Sequence, residues 1–499
     1  MPEITIMHLL VAVLGVVVGI VFGAIPGMTA TMAVAVFLPL TYAYDMQTAM
    51  YLLLGLYVGG ISGGLVPAIL INIPGTPSSL CSVFEGYPMA KRGEGERALK
   101  IAITSSLIGG LISLACLFFF TPPLAKLAIK FSSIEKFLII LFALTVIAAL
   151  SKGKMLLGVF SGFLGVLVSL MGTFSDNNKL RLVPDMFKTE MIYGFDLLPL
   201  LIGLFAVSQM FQEAENGMKA QSLSSMFEMR ANAKKFSLKD FKGNGVSIIR
   251  SALIGTFIGV LPGIGGSTAS LMSYSQYKSW TKHPERVGTG EPEGLICTET
   301  ADNALTGGAL IPLLSLGLPG DSTTAVLIGA FMLHGIQVGP LFIQQHTGTW
   351  NSILFGLLIA NLIMFAIMFF SIKYIANLVK IPPSRLYPVV TVMCLVGSYA
   401  INNGVMFDVW TMLIFGIIGF IFDKVGMPST PFLIGFILGG DLEKYFIDSL
   451  KGNDGSLLAF VSPERPIALV IWLLIFISIG YAIFDDRRSK KQGASACGC

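Results

Sequence analysis

Charged residues are scarce: Asp, Glu, Lys and Arg make up 12% of the 499 positions, where soluble proteins carry about a quarter. With 54% hydrophobic residues and a mean hydropathy of +0.78, this excludes an ordinary soluble chain. The few basic residues sit in short loops and the tail rather than in one stripe, which excludes a nucleic-acid partner. Six cysteines (Cys81, Cys116, Cys297, Cys394, Cys497, Cys499) lack zinc-type spacing, and four lie in or beside apolar stretches, so neither a disulfide framework nor a metal cluster is expected. The four histidines (His8, His283, His334, His346) form no HExxH pair, and no phosphate loop is present, which excludes a self-contained ATP-driven pump. His334 reads as a packing residue. Gly60 to Gly64 fits a GxSxG pattern, yet it lies in an apolar run rather than at a strand-to-helix elbow, so Ser62 is not a nucleophile and no enzyme is expected.

What the chain has instead is apolar runs. They cover roughly Leu9 to Ile25, Met28 to Tyr42, Met50 to Ile73, Ile101 to Phe120, Phe137 to Leu150, Leu156 to Met171 and Leu197 to Phe211. After a polar stretch they resume at Val246 to Leu261, Thr268 to Tyr277, Leu305 to Leu318, Thr323 to Phe342, Ile353 to Ile375, Tyr387 to Ile401, Val409 to Phe422, Phe432 to Leu438 and Ile467 to Phe484. Many approach the ~20 residues that cross a bilayer, and they are continuous rather than alternating, which predicts helices and not a barrel. The fold class expected is an all-α polytopic integral membrane protein in a lipid bilayer, with about 12 or more membrane segments. The first run has no basic stretch before it and reads as a retained membrane helix.

The runs repeat. Gly19, Gly23 and Gly27 recur at Gly255, Gly259 and Gly263, an offset of 236. At an offset of 245, Pro67, Pro74, Gly75, Ser78 and Ser79 match Pro312, Pro319, Gly320, Thr323 and Thr324. The growth in offset reflects an extra polar loop, Lys278 to Gly294. The division expected is a first transmembrane repeat (1–212), a polar linker (213–245), a second repeat (246–450) and a further helix with a basic tail (451–499). The linker holds Lys219, Arg230, Lys234, Lys235, Lys239 and Lys242, and the tail Arg487, Arg488, Lys490 and Lys491, so both are predicted cytoplasmic; the first ninety residues hold no Lys or Arg, which suits an outside N-terminus. Copy two is then inverted, the arrangement typical of secondary transporters.

Chemistry is expected where Pro-Gly pairs interrupt apolar helices, because proline removes a donor and glycine opens otherwise closed conformations. Pro26-Gly27 to Thr31 and Pro262-Gly263 to Thr268 are one matched pair of breaks; Asn72 to Ser79 and Gly317 to Thr324 are the other. The substrate-binding residues expected are Gly27, Thr29, Thr31, Asn72, Gly75, Thr76, Ser78, Ser79, Gly263, Ser267, Thr268, Gly320, Ser322, Thr323 and Thr324. No Lys or Arg occurs from Gly19 to Ala90, Ser251 to Tyr277 or Thr298 to Ile372. An anionic ligand would therefore be held by N–H groups, hydroxyls and helix N-termini worth roughly half a charge each, and a co-bound cation would complete the balance. Asp321, Asn72, Glu299, Asp302 and Asn303 are the expected cation-coupling residues, with a monovalent cation such as Na+ placed near Asp321. Glu85, before Lys91-Arg92, reads as loop-facing. The ladder Gly15, Gly19, Gly23 reads as helix packing.

The runs GAIPGMTATMAVAVFLPLTY, LINIPGTPSSLCSVFEGYPMAKRGEGERAL, GVLPGIGGSTASLMSYSQ, CTETADNALTGGALIPLLSLGLPGDSTTAVLIGAF and HGIQVGPLF resemble the large membrane subunit of the bacterial tripartite tricarboxylate transporters, the TctA family, from about Gly15 to Gly440. The resemblance implies a permease of the bacterial inner membrane working with a small four-helix membrane subunit (TctB-type) and a periplasmic solute-binding protein (TctC-type). It further implies an organic di- or tricarboxylate as ligand and Na+ or H+ as coupling ion, with no other cofactor. Nothing carries over to the linker or to the tail ending in Cys-Gly-Cys. Two other readings differ in kind: a membrane-embedded enzyme acting on a lipid, which would need a His, Asp and Glu cluster within one repeat, and a passive anion channel.

Overall fold

The computed structural model describes residues 4–149, 155–174, 179–215, 234–378, 385–401 and 404–480. Lys219, Arg230, the basic tail and Cys497 and Cys499 lie outside the described residues. The first half comprises α1 (Ile6–Ala24), α2 (Ala30–Phe37), α3 (Met46–Gly63), α4 (Leu65–Ile71), α5 (Ser82–Lys91), α6 (Gly95–Ala128), α7 (Ser133–Ala149) and α8 (Met155–Ser169). It closes with α9 (Leu197–Leu201) and α10 (Ser208–Glu215), joined by a π-helical stretch over Ile202–Val207. The second half holds α11 (Gly245–Val260), α12 (Gly266–Trp280), α13 (Pro292–Leu316), α14 (Ser322–Leu333), α15 (Phe342–Gln345), α16 (Thr347–Phe370) and α17 (Ile372–Leu378). It ends with α18 (Tyr387–Ile401), α19 (Met406–Val425), α20 (Ser429–Lys451) and a last helix α21 (Pro466–Gly480).

Among the described residues, six helices are long and apolar enough to cross a membrane: Ile6–Ala24, Met46–Ile71, Gly95–Ala128, Leu197–Glu215, Thr347–Phe370 and Met406–Val425. The protein is a nearly all-helical, multi-pass membrane protein. The all-α expectation needs one correction, a two-stranded antiparallel ribbon of β1 (Gly172–Thr173) and β2 (Leu180–Arg181). Gly172 adopts φ +112°, which lets the chain leave α8 directly into the strand. The short run Phe432 to Leu438 belongs to the much longer α20, whose later turns carry Asp441, Glu443 and Lys444. Helix α6 also outgrows its apolar run and continues through Pro122 and Pro123.

Helices α3 and α13 are buried over nearly their whole length, as central helices are, although α13 carries Glu299, Asp302 and Asn303 within that buried stretch. Each is gripped by the helix that opens its own repeat. The ladder Gly15, Gly19 and Gly23 lies directly on α3, so the packing reading holds: a Cβ on Gly23 would sit 2.1 Å from the Gly60 carbonyl oxygen. Gly255 and Gly259 lie on α13 in the same way. The correspondence reaches single contacts. A Cβ on Gly75 would fall 2.3 Å from the carbonyl oxygen of Gly23, and one on Gly320 would fall 2.3 Å from that of Gly259. Each central helix is also covered from the opposite repeat, α13 by α6 (Gly109 against Thr300) and α3 by α16 (Gly356 against Leu54).

Overpacking a contact this close costs about 1–3 kcal/mol. Gly23→Ala should therefore lower the melting temperature of the detergent-purified protein; an unchanged melting curve would mean that α1 does not pack on α3 as described.

Candidate functional site

All four Pro-Gly segments break helices. After α1 the chain turns extended at Ile25 and passes Gly27 at φ +89°; Thr29 then caps α2 by accepting the Met32 N–H at 3.1 Å. After α11 it turns extended at Leu261, passes Gly263 and Gly265 at φ +74° and +75°, and enters α12. In the second pair, α4 ends at Asn72 with φ +63° and α13 ends at Gly317 with φ +76°. The two positions are 245 apart and share the left-handed capping conformation, which glycine and asparagine tolerate best. Asn72 is exposed, so its structural role is that cap.

The breaks are brought together from both repeats. A cleft of about 630 Å3 is lined by Gly27 and Thr29 from the first break, Pro74 to Pro77 from the second, and Ile264, Ser267 and Thr268 from the third. Leu80 and Gln209 complete it. Six expected site residues thus face the cleft: Gly27, Thr29, Gly75, Thr76, Ser267 and Thr268. Ser78 and Ser79 lie behind its wall, buried, with Ser78 Oγ 3.1 Å from Thr76 Oγ1 and Ser79 Oγ donating to the Thr76 carbonyl at 2.9 Å.

The fourth break forms a separate junction, so the remaining expected residues do not line the cleft. Thr31 Oγ1 lies 2.9 Å from Thr323 Oγ1, and Ser322 Oγ lies 2.8 Å from Thr430 Oγ1. The Gly263 N–H donates to the Gly320 carbonyl at 2.8 Å, tying the two breaks of the second repeat together. Asp321 caps α14: Oδ1 accepts from the Thr324 N–H and hydroxyl, both at 2.7 Å, and Oδ2 accepts from the Tyr57 hydroxyl at 2.8 Å. Both carboxylate oxygens are therefore occupied by donors of the protein.

The other acidic candidates sit one helical turn apart on α13. Glu299 accepts from the hydroxyls of Ser82 and, at 3.1 Å, Ser106. Asn303 donates to the Ser106 carbonyl at 2.8 Å and accepts from Ser62 at 3.4 Å. Ser62 thus lies within helix α3 as a packing hydroxyl, not at an elbow. Asp302 is 2% exposed, and its Oδ1 has no hydrogen-bond partner among the described residues. No group of three or more His, Cys, Asp or Glu suited to a metal ion occurs among the described residues.

Glu85 does face a loop, but from a buried position, because the loop folds over it: its carboxylate accepts from the N–H groups of Gly288 (2.6 Å), Gly290 (2.8 Å) and Glu291 (2.8 Å) and from the Tyr274 hydroxyl (2.9 Å). Arg92 donates to the carbonyls of Thr289 and Gly290 in the same loop. Sequence reasoning also missed Gln209, Tyr57 and Glu213, whose side chain abuts Gly27. They sit in apolar or linker-proximal sequence without a motif.

The family model of the tripartite tricarboxylate transporter TctA family matches residues 9–434. The chain belongs to this family. Two Agrobacterium vitis proteins are similar to it. The "Uncharacterized 52.8 kDa protein in TAR-I ttuC' 3'region" is 31% identical over 478 residues, covering 96% of this chain and 93% of its own length. The "Uncharacterized protein in TAR-II ttuC' 3'region" is 34% identical over 238 residues, 48% of this chain and 97% of its own. No solved structure matches. A TctA protein is a membrane component of a transport system, and the matched span encloses all four breaks and the cleft.

Proposed function

We propose that this TctA protein is the large permease subunit of a binding-protein-dependent secondary transporter, importing an organic di- or tricarboxylate across the bacterial inner membrane with a co-transported cation. One observation carries the reading: three helix breaks from two repeats converge on one cleft whose polar groups are hydroxyls, backbone amides and a carboxamide. Such a lining suits carboxylate oxygens and leaves net negative charge for a cation to balance. The two repeats are inverted. In support, α3 and α13 occupy equivalent places in the two repeats and meet where the Ser62 hydroxyl donates to Asn303, and the Lys and Arg of the linker and tail set against the bare first ninety residues suit opposite orientations. The linker and tail face the cytoplasm, a reading supported by the Lys and Arg that they carry and by Arg97, which pairs with Asp240 of the linker. The partners are a TctB-type small subunit and a TctC-type periplasmic binding protein.

Uptake of labelled mono-, di- and tricarboxylates in a deletion strain carrying all three components tests this. Saturable uptake of one class, dependent on a cation gradient and on both partners, is expected. Full-rate uptake without the partners would remove the tripartite reading, and non-saturating flux would leave the passive channel.

A further inference from the structure

We propose that the coupling cation binds at the buried Asp302 carboxylate, behind the ligand cleft, and not at Asp321; this rests on the transport reading above. The repeat offset supplies the comparison. Asp302 is the counterpart of Tyr57, 245 residues earlier, and Asp321 is the counterpart of Thr76. The structure therefore contains two related junctions between a central helix and a break from the other repeat. In one, the Tyr57 hydroxyl meets the Asp321 carboxylate at 2.8 Å, and donor and acceptor are both supplied by the protein. In the other, the carboxylate stands on the central helix and the break offers Thr76 and Ser78.

There the account does not close. Ser78 lies beside the Asp302 carboxylate at the start of α12, its hydroxyl 3.1 Å from that of Thr76, but Oδ1 is buried with no hydrogen-bond partner among the described residues. A buried, unpartnered carboxylate oxygen is expensive. It is more so here, because Glu299 lies on the same face of α13 one turn away and its own oxygens are taken by Ser82 and Ser106. The remaining groups facing the site from neighbouring elements are uncharged: Tyr57 from α3, Ser78 and Ser82 from the second break and α5, Ser106 from α6, and Gly266 from α12. No basic residue occurs on α13 after Pro292 or in the breaks that meet it.

Oδ1 points toward the start of α12, where a Cβ on Gly266 would fall 2.7 Å from it and 2.5 Å from Ser78 Cβ. Ser267, the neighbour of Gly266, and Thr76, two residues before Ser78, line the cleft. One monovalent cation at Oδ1, either Na+ or a proton, supplies the missing partner. It sits one or two residues behind the cleft-lining Ser267 and Thr76, so binding of cation and anion each favours the other.

The test uses the purified full-length protein with no carboxylate present, following its melting temperature during NaCl titration against KCl at constant ionic strength and, separately, during acidification. Stabilisation by Na+ over K+, lost in Asp302→Asn, assigns Na+; stabilisation by acid, lost in the same variant, assigns the proton. Ser78→Ala should require about tenfold more Na+ for the same shift, as for loss of a supporting ligand. Should Asp302→Asn fail to fold, the carboxyl bands in the infrared difference spectrum of the wild-type protein, with and without Na+ or acid, decide together with Ser78→Ala. The proposal is overturned if the wild-type protein shows neither response, if a folded Asp302→Asn keeps it, if it is lost in Asp321→Asn but not in Asp302→Asn, or if the carboxyl bands do not change. A cation response lost in Asp302→Asn alongside wild-type protein that takes up no carboxylate would keep the cation site and remove only the substrate reading.

Discussion

Glu85→Ala is expected to destabilise the protein by about 3–5 kcal/mol, the range for removing one partner of a buried charged network. The Glu85 carboxylate receives three backbone N–H groups and the Tyr274 hydroxyl, and each buried donor left unpaired costs about 1–3 kcal/mol. Relaxation of the 281–291 loop toward water recovers part of that, which is why the sum is not expected in full. The same relaxation gives a second readout. Lys282 and Arg286 are exposed on the loop, so limited trypsin digestion should cut the variant there faster than the wild-type chain. Glu85→Gln keeps one acceptor oxygen but turns an amide N–H toward the loop's own N–H groups, and should fall between the two. A melting temperature and digestion pattern unchanged in Glu85→Ala would show that this carboxylate does not hold the loop.

Glu85 also marks where sequence stops being informative. Its sequence neighbours, an apolar helix before and Lys91-Arg92 after, describe a residue on the way to an interface, and that local description is accurate for α5. Its partners arrive from about 200 residues away, in a loop whose N–H groups have no sequence signature. By contrast, the four breaks were legible because Pro-Gly chemistry is local, and the glycine ladder because close helix approach demands a missing Cβ every four residues. The repeat offset was legible too, yet its use was limited: it matched Thr76 with Asp321 without showing that one lines a cleft while the other is consumed as a cap. Asp321 looked like the strongest candidate because a carboxylate inside an apolar block is costly. Tyr57, which with Thr324 satisfies it, sits in the middle of an apolar run where a tyrosine carries no special signal.

Loss of the α12 hydroxyls from the cleft is expected to weaken ligand binding with little effect on folding. Ser267 and Thr268 lie in the first turn of α12, where the cap position is held by Gly265, so their side chains are not required to start the helix. Thr29 and Thr76 differ: Thr29 caps α2 and the Thr76 hydroxyl is bonded to that of Ser78, so Thr→Val there would mix a structural loss of about 1 kcal/mol with any loss of ligand contact. A hydrogen bond to a charged group contributes about 1.5–3 kcal/mol, so Thr268→Val should raise KM for the transported carboxylate by roughly 10- to 100-fold, since about 1.4 kcal/mol corresponds to a factor of ten. Ser267→Ala should act in the same direction, and the melting temperature of both variants without ligand should stay near that of the wild-type protein. The double variant is informative because the two hydroxyls share one helix turn: if they grip the same carboxylate group, their effects should fall short of additive, whereas independent contacts should multiply. An unchanged KM in the double variant, with normal expression and both partner subunits present, would place the carboxylate elsewhere than in this cleft.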